Sequence, residues 1–425
     1  MSRRVVITGL GVIAPNGNGL ADFELALRKG KSGIRRHADM DAAGFGCRVA
    51  GVPQGVEELV AAAFAPDELL AMNSSQRFCS LAAVDAWSDA GLARPERGDD
   101  RVDWDSGAIL GTGIGGMDTI AERIVPCVNE KRVRRLGSTA VEQCMASGIS
   151  ARVSGLLALG NQVTTNSSAC STGVEAVTMG ADRIRRGLAT RMLCGGSEGA
   201  SHYIWAGFDS MRVLCRAFND EPEKASRPLS ASAGGFVPGA GAGVLVLESL
   251  DSAQARGARI YAEVLGAAVN CGGHRGGGSM TAPNPAGVRR CVQEALADAE
   301  ISGRDVDLVN GHLTATGADP AEVASWSHAL ERGPAEFPTL TATKSMIGHT
   351  LGAAGAIECI ATLLMLTRGF AHPCLNSEDL HPEIEPFAAS IPREARELSD
   401  ARIAVKAGFG FGDVNACVVF RSWNP

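Results

Sequence analysis

TTNSSACSTGVEA at residues 164–176 and TATKSMIGHTLGAAGAIE at residues 341–358 follow one plan. Each opens on a threonine-rich strand end, turns through a loop that holds a reactive side chain, and enters a helix of small residues. The first carries Cys170; the second carries Lys344 and His349. A strand–turn–helix unit that occurs twice points to two similar halves packed together. Between the two units, LESLDSAQARGAR at 247–259 reads as an exposed polar helix. The expected division falls there, with an N-terminal half over 1–250 and a C-terminal half over 251–425.

Outward from these segments, apolar and β-branched runs bounded by glycine read as buried strands at 5–8, 108–111, 192–195, 244–248, 306–310 and 403–407. Between them lie helical patterns, such as Val174, Val177, Ala181 and Ile184, spaced three or four apart. Strands alternating with helices predict a layered α/β fold. The 425 residues are 45% apolar and 20% charged, as in an ordinary globular protein. The 52 glycines are scattered, which suits turns and close packing better than low complexity.

A net charge of −7 argues against a nucleic-acid partner. It leaves room for an acidic protein that docks on a local basic patch, and Lys131, Arg132, Arg134 and Arg135 form the densest one. At the N-terminus, two arginines precede a short apolar run broken by threonine and glycine, which reads as a strand and not as a signal peptide. No uninterrupted apolar run is long enough to span a membrane, so the cytoplasm is the expected compartment. None of the twelve cysteines forms a CxxC pair, which removes the common zinc and thioredoxin patterns. Most read as small buried hydrophobes.

Two glycine patterns invite a dinucleotide reading: VVITGLGVIA, and GTGIGG at 111–116. The first runs into Pro15 and NGNG, where a pyrophosphate-binding helix would have to start. The second has no acidic residue about twenty positions on at a strand end. Cys170 is the stronger signal. It sits between a strand ending near Thr165 and a helix beginning near Ser171, where the helix dipole favours thiolate. Small neighbours, Ser171, Thr172 and Gly173, leave room for an acyl group, and the Cys170 amide can face a developing oxyanion. His312 and His349 each close a strand in a Thr/Gly loop. Two neutral imidazoles could donate N–H groups to one carbonyl oxygen, with Lys344 organising them electrostatically. A metal centre fits less well, because the i, i+4 histidine pair and a carboxylate cluster are both missing.

SACSTG, KSMIGHTLGAAGAIE and GFGFGDVN, in that order, resemble the signature segments of β-ketoacyl-acyl-carrier-protein synthases. Weaker similarity runs through nearly the whole chain, in RRVVITGLGVIAPNG, GTGIGG, ASRPLSASAGGFVPGAGAGVLVLE and MTAPNP. The resemblance implies a thiolase-type fold, with duplicated α/β halves in a five-layer α-β-α-β-α arrangement. It further implies decarboxylative Claisen condensation of a malonyl thioester with an acyl group on Cys170, without a bound cofactor. Substrates would ride on the phosphopantetheine arm of an acyl carrier protein. By the same resemblance His312 and His349 drive decarboxylation beside Lys344, and Thr314 and Thr316 contact the pantetheine arm. Phe411 gates the acyl pocket, its amide completing the oxyanion hole with that of Cys170, while Phe409 contacts substrate and Ile114 lines the acyl pocket. The implied assembly is a homodimer, or a heterodimer with a ketosynthase-like subunit.

The chain departs from the family pattern in three loops. HLTATGAD is one residue shorter than usual, with Leu313 for a glycine and Gly317 for a proline. The gate carries Asp413 and Val414, and Ala233, Gly234 and Ala240 replace charged positions. These changes leave open whether the pathway is type II fatty-acid synthesis or a specialised polyketide, polyene or lipid route. The alternative within the fold is a non-condensing chain-length-factor-like subunit, which usually lacks the cysteine. A degradative thiolase would be expected to carry a second cysteine near the gate, where this chain has only Cys417 further on.

Overall fold

The computed structural model describes residues 3–423. Its first strand, β1 (Val5–Ala14), is buried along its whole length, as expected of a strand covered on both faces. Four more strands complete a first set: β2 (Ser106–Gly111), β3 (Val163–Thr164), β4 (Arg191–Glu198) and β5 (Gly241–Ser249). A second set follows: β6 (Ala262–Cys271), β7 (Leu308–Asn310), β8 (Thr339–Thr341), β9 (Ile403–Gly410) and β10 (Val414–Ser422). The strand orders are β3-β2-β4-β5-β1 and β8-β7-β9-β10-β6. In each set the second strand pairs in parallel with the third and fourth. The fifth pairs antiparallel with the fourth and the first. The duplication seen in the sequence is thus a duplicated topology, and the sets join where Val6 and Ile7 pair with Glu263 and Ala262.

Helices α1 (Ser74–Asp89) and α2 (Gly148–Leu157) pack on the first set. On the second set lie α4 (Pro285–Asp298), against β6 and β10, and α5 (Asp319–Leu330), against α4. Between the sets lie α3 (Thr172–Arg185) and α6 (Ala354–Arg368), which touch each other and strands of both sets. This is the five-layer α-β-α-β-α arrangement. The stretch Leu351–Arg368 is long and apolar enough to cross a membrane, but 89% of it is buried in this central layer.

Local detail corrects some sequence expectations. The first G-x-G-x-x-A lies inside β1 and makes no turn. A Cβ at Gly9 would come 2.1 Å from the Ala86 carbonyl oxygen, and one at Gly11 1.9 Å from that of Ala82. Those glycines let β1 press against the α1 backbone. The polar helix is also shorter than predicted, because β5 runs on to Ser249 and only Leu250–Ala255 is helical.

Candidate active site

The chemistry-bearing side chains stand on loops after corresponding strands of the two halves. Cys170 lies in a one-turn 3-10 segment, Ala169–Ser171, between β3 and α3. Lys344 and His349 lie between β8 and α6, the equivalent connection. The two loops meet because α3 and α6 cross at glycines. A Cβ at Gly173 would sit 2.3 Å from the Ala356 nitrogen, and one at Gly355 2.8 Å from that of Val174. This contact of backbones brings the helix starts together, with His349 Nε2 3.0 Å from Cys170 Sγ.

The tautomers follow from the other ring nitrogens. The Leu351 amide donates to His349 Nδ1 at 3.2 Å, so the His349 hydrogen sits on Nε2 and faces the sulfur. Lys344 Nζ donates to the His312 carbonyl at 2.7 Å and lies 3.4 Å from His312 Nδ1, which puts the second N–H on His312 Nε2. The rings are 5.4 Å apart at 83°. Burial, followed by the charge of Lys344, holds both imidazoles well below their ordinary pKa, so both are neutral donors. Ligating atoms of Cys170, His312 and His349 all lie within 4.8 Å of one another. That spacing could grip a soft cation, but the Nε2 positions present hydrogens where a metal would need lone pairs.

Cys170 does not behave as the helix dipole alone suggests. Burial dominates and pushes its thiol up to about 11, against the opposing pull of Lys344 and of the Phe411 amide. The residue still opens onto a cavity of about 690 Å³ lined also by His312, His349, Phe409, Phe411, Thr314 and Thr316. The Phe411 backbone N–H lies near enough to the sulfur to favour the thiolate, against the effect of burial. Gly410 is needed for this approach, since a Cβ there would lie 2.8 Å from the Ser168 carbonyl oxygen. The Ser171 hydroxyl, 2.9 Å from the carbonyl oxygens of both Gly408 and Val414, ties the nucleophile loop to the β9–β10 turn.

Aromatic rings form one wall. Phe411 lies 6.1 Å from Phe208, Phe208 5.5 Å from Phe236, and Phe236 5.2 Å from His349. Phe409 meets His312 edge-on at 6.0 Å. The Thr314 and Thr316 hydroxyls stand 2.9 Å apart on the cavity rim. Ile114 is not among the cavity residues: it is 37% exposed on the loop after β2.

Several polar residues of the site were not singled out by the sequence. Asp319 and Glu322, in the first turn of α5, receive the amides of Thr314 and Ala315 and of His312 and Leu313 respectively. They hold Leu313 and Ala315 at φ of 30° and 62°, conformations that cost a non-glycine residue energy. Burial pushes their carboxyls up to about 6 and about 7. The only available signal was D-P-A-E at a helix start. Glu198, fully buried, explains GTGIGG. Its carboxylate accepts from Thr112 Oγ1 at 3.0 Å and from the amides of Gly113, Ile114 and Gly352 at 2.9, 3.3 and 3.0 Å. The glycine loop does cradle an acidic group, and that group is the protein's own side chain.

A half-buried thiol and two neutral imidazole donors around one cavity, on a duplicated α/β core, define an acyl-transferring, carbon-nucleophile class of enzyme on a thiolase-type fold. The comparisons narrow the class. Residues 2–253 match the N-terminal domain of beta-ketoacyl synthases and residues 261–378 the C-terminal domain, so the chain belongs to the β-ketoacyl synthase family. It is 35% identical to a 3-oxoacyl-[acyl-carrier-protein] synthase 2 of Vibrio harveyi, over 99% of this chain and 98% of that one. It is equally similar, at 35% over 100% and 87%, to a chloroplastic 3-oxoacyl-[acyl-carrier-protein] synthase I of Arabidopsis thaliana. Among solved structures, a beta-ketoacyl synthase of Burkholderia phymatum superposes with a TM-score of 0.90 at 31% identity, covering 99% and 100% of the two chains. The ishigamide ketosynthase/chain length factor gives 0.88 at 31%, with full coverage of both chains.

Proposed function

We propose that the chain is a 3-oxoacyl-acyl-carrier-protein synthase that extends an acyl group held on Cys170 by two carbons from a malonyl thioester. The observation that carries this reading is the placement of a nucleophilic sulfur and two neutral imidazole N–H donors around one cavity. In the first half-reaction Cys170 loses its proton to water, its sulfur attacks an acyl thioester with the Cys170 and Phe411 amides receiving the oxyanion, and the carrier sulfur leaves and takes up a proton. In the second, the malonyl thioester carbonyl accepts from His312 and His349 Nε2–H. The bond from its α-carbon to the carboxylate breaks, carbon dioxide leaves, and the electron pair passes onto the carbonyl oxygen as an enolate. That enolate forms the new carbon–carbon bond as the bond from acyl carbon to Cys170 sulfur breaks, and Cys170 departs as a thiolate that takes up a proton.

The acyl donor and acceptor are read as carrier-protein thioesters. A type II polyketide acyl-carrier protein in complex with its ketosynthase is among the similar structures, with a TM-score of 0.86 at 27% identity. Exposed Ile114, Val125, Val128, Val141 and Met145, on either side of the basic turn at 131–135, support a subunit contact, either with a second copy or with a ketosynthase-like partner. The twelve free cysteines suit a reducing compartment such as the cytoplasm. A non-condensing partner subunit is the weaker reading because such subunits usually lack the cysteine that this chain carries at position 170.

Intact-mass analysis after incubation with acyl-carrier proteins of graded chain length tests the reading. Expected is an acyl adduct that peptide mapping assigns to Cys170 and that malonyl-carrier protein discharges as an extended product; the chains that load separate fatty-acid from specialised synthesis. Absence of any adduct on Cys170 would remove the condensing role.

A further inference from the structure

The site as described gives Lys344 a place beside His312 but leaves a second buried lysine unexplained. Lys406, on β9, is fully buried, and its Nζ lies 2.8 Å from Glu358 Oε2. The other oxygen of Glu358, on α6, lies 2.6 Å from Lys344 Nζ. Both pairs are sealed from water, with side-chain exposures of 2% or less. Lys406 also donates to the carbonyl of Gly311 at 3.3 Å and to that of Ala407. Gly311 precedes His312 directly, and Lys406 does not line the cavity.

Two ammonium groups on one carboxylate make a poor structural pair. Burying each charge is expensive, and one Lys–Glu pair would already be balanced. The imbalance has a use at the imidazoles. A lone Glu358 would offset the charge of Lys344, whereas a Glu358 shared with Lys406 leaves Lys344 facing His312 and His349 uncompensated. We infer that Lys406 is a positioning residue of the condensing site, which occupies Glu358 so that Lys344 keeps its contact with His312 and its charge keeps both imidazoles as neutral N–H donors. This rests on the proposed condensing function. Lys406 also adds its own charge at both rings, and the other ionisable groups around the site are Cys170, Asp319, Glu322 and Glu198. The three carboxyls are bound by backbone amides and shifted upward by burial, which makes them weak counterweights.

The sign of the effect is fixed. A nearby positive charge disfavours imidazolium; shielding that charge raises the histidine pKa, and the active neutral form is lost at a higher pH. Lys406→Met should therefore slow malonyl-thioester decarboxylation by about tenfold or more and move the acidic limb of its pH profile up by about one unit. Acyl loading of Cys170 should persist. Adding Glu358→Gln to Lys406→Met uncovers the Lys344 charge again and should return the limb toward its wild-type position. A single variant whose rate and acidic limb superimpose on wild type would overturn the inference, as would a double variant no different from the single one. Should Lys406→Met fail to fold, the wild-type protein decides. Histidine NMR with assigned His312 and His349 should show both rings still neutral well below the ordinary imidazole value of about 6.5, and titration of either near that value would sink the proposal. That measurement needs no substrate, so it stands apart from failure of the condensing reading, which would show as wild-type protein inert toward malonyl thioesters.

Discussion

At Cys170 two effects oppose each other. The start of α3 and the ammonium of Lys344 favour the thiolate, while burial favours the thiol and prevails, with a pKa pushed up to about 11. Alkylation of Cys170 by iodoacetamide, followed by peptide mapping, should therefore quicken about tenfold per pH unit between pH 7 and 10 without levelling off. A plateau below pH 8 would show a preformed thiolate. Peptide mapping is required because Cys271 is exposed and reacts independently. The division of labour gives a second expectation. Cys170→Ala abolishes elongation but retains malonyl decarboxylation, because the two imidazoles remain. His312→Ala and His349→Ala still accept acyl groups but lose decarboxylation by about 10²–10³, the usual effect of removing one donor aimed at developing charge. A radiolabelled carbon dioxide release assay on the three proteins checks both halves.

The β9–β10 turn shows how an element adapts to a changed residue. Asp413 reads in the sequence as an added charge on a flexible gate. In the structure it is fully buried, at φ 61°, and its carboxylate accepts the amides of His274 at 2.9 Å and Asn284 at 2.7 Å. Gly272 and Gly278 make room, since a Cβ at either would lie 2.4 Å from Asp413 Oδ2. The Gly412 amide donates to the Met280 carbonyl at 2.8 Å, so the turn is clasped by the 272–284 segment. Phe411 itself is only half-buried and rests on Phe208. Phe411→Ala should thus relax selectivity among acyl chain lengths and slow elongation, with a loss of stability well short of the roughly 3–5 kcal/mol of a core phenylalanine. Product profiling beside thermal denaturation checks this. A large fall in Tm with an unchanged chain-length profile would make Phe411 a packing residue.

Over the full chain, the net charge of −7 coexists with an exposed basic turn, Lys131 to Arg135. Arg132 is paired with Glu130, while the neighbouring Arg134 and Arg135 stand in water. An acidic carrier protein docking there would be steered by charge and screened by salt. Charge reversal at Arg132 and Arg135 should raise the apparent KM for carrier-bound substrates and spare small thioesters; steady-state kinetics on both substrate types checks it, and equal effects would exclude docking at this turn. The duplicated fold and its reacting groups were legible in the chain because they are local. A strand end, a loop and a helix start occur in one short stretch, and the same stretch occurs twice. Cys170, Lys344 and His349 each sit at such a junction, which the repeated pattern suggests, while the roles expected of them came from the family resemblance. What lay beyond reading was decided by the packing of one half on the other. Lys406 stands in an apolar strand run and Glu358 in an apolar helix, and neither run says that α6 slots between the sheets and sets the carboxylate between two ammonium groups. GTGIGG has the amide geometry of a phosphate loop, and only the arrival of β4 shows that Glu198 fills it. The resting thiol of Cys170 is likewise a property of enclosure, because desolvation depends on every layer around the sulfur and the local helix start contributes only one opposing part.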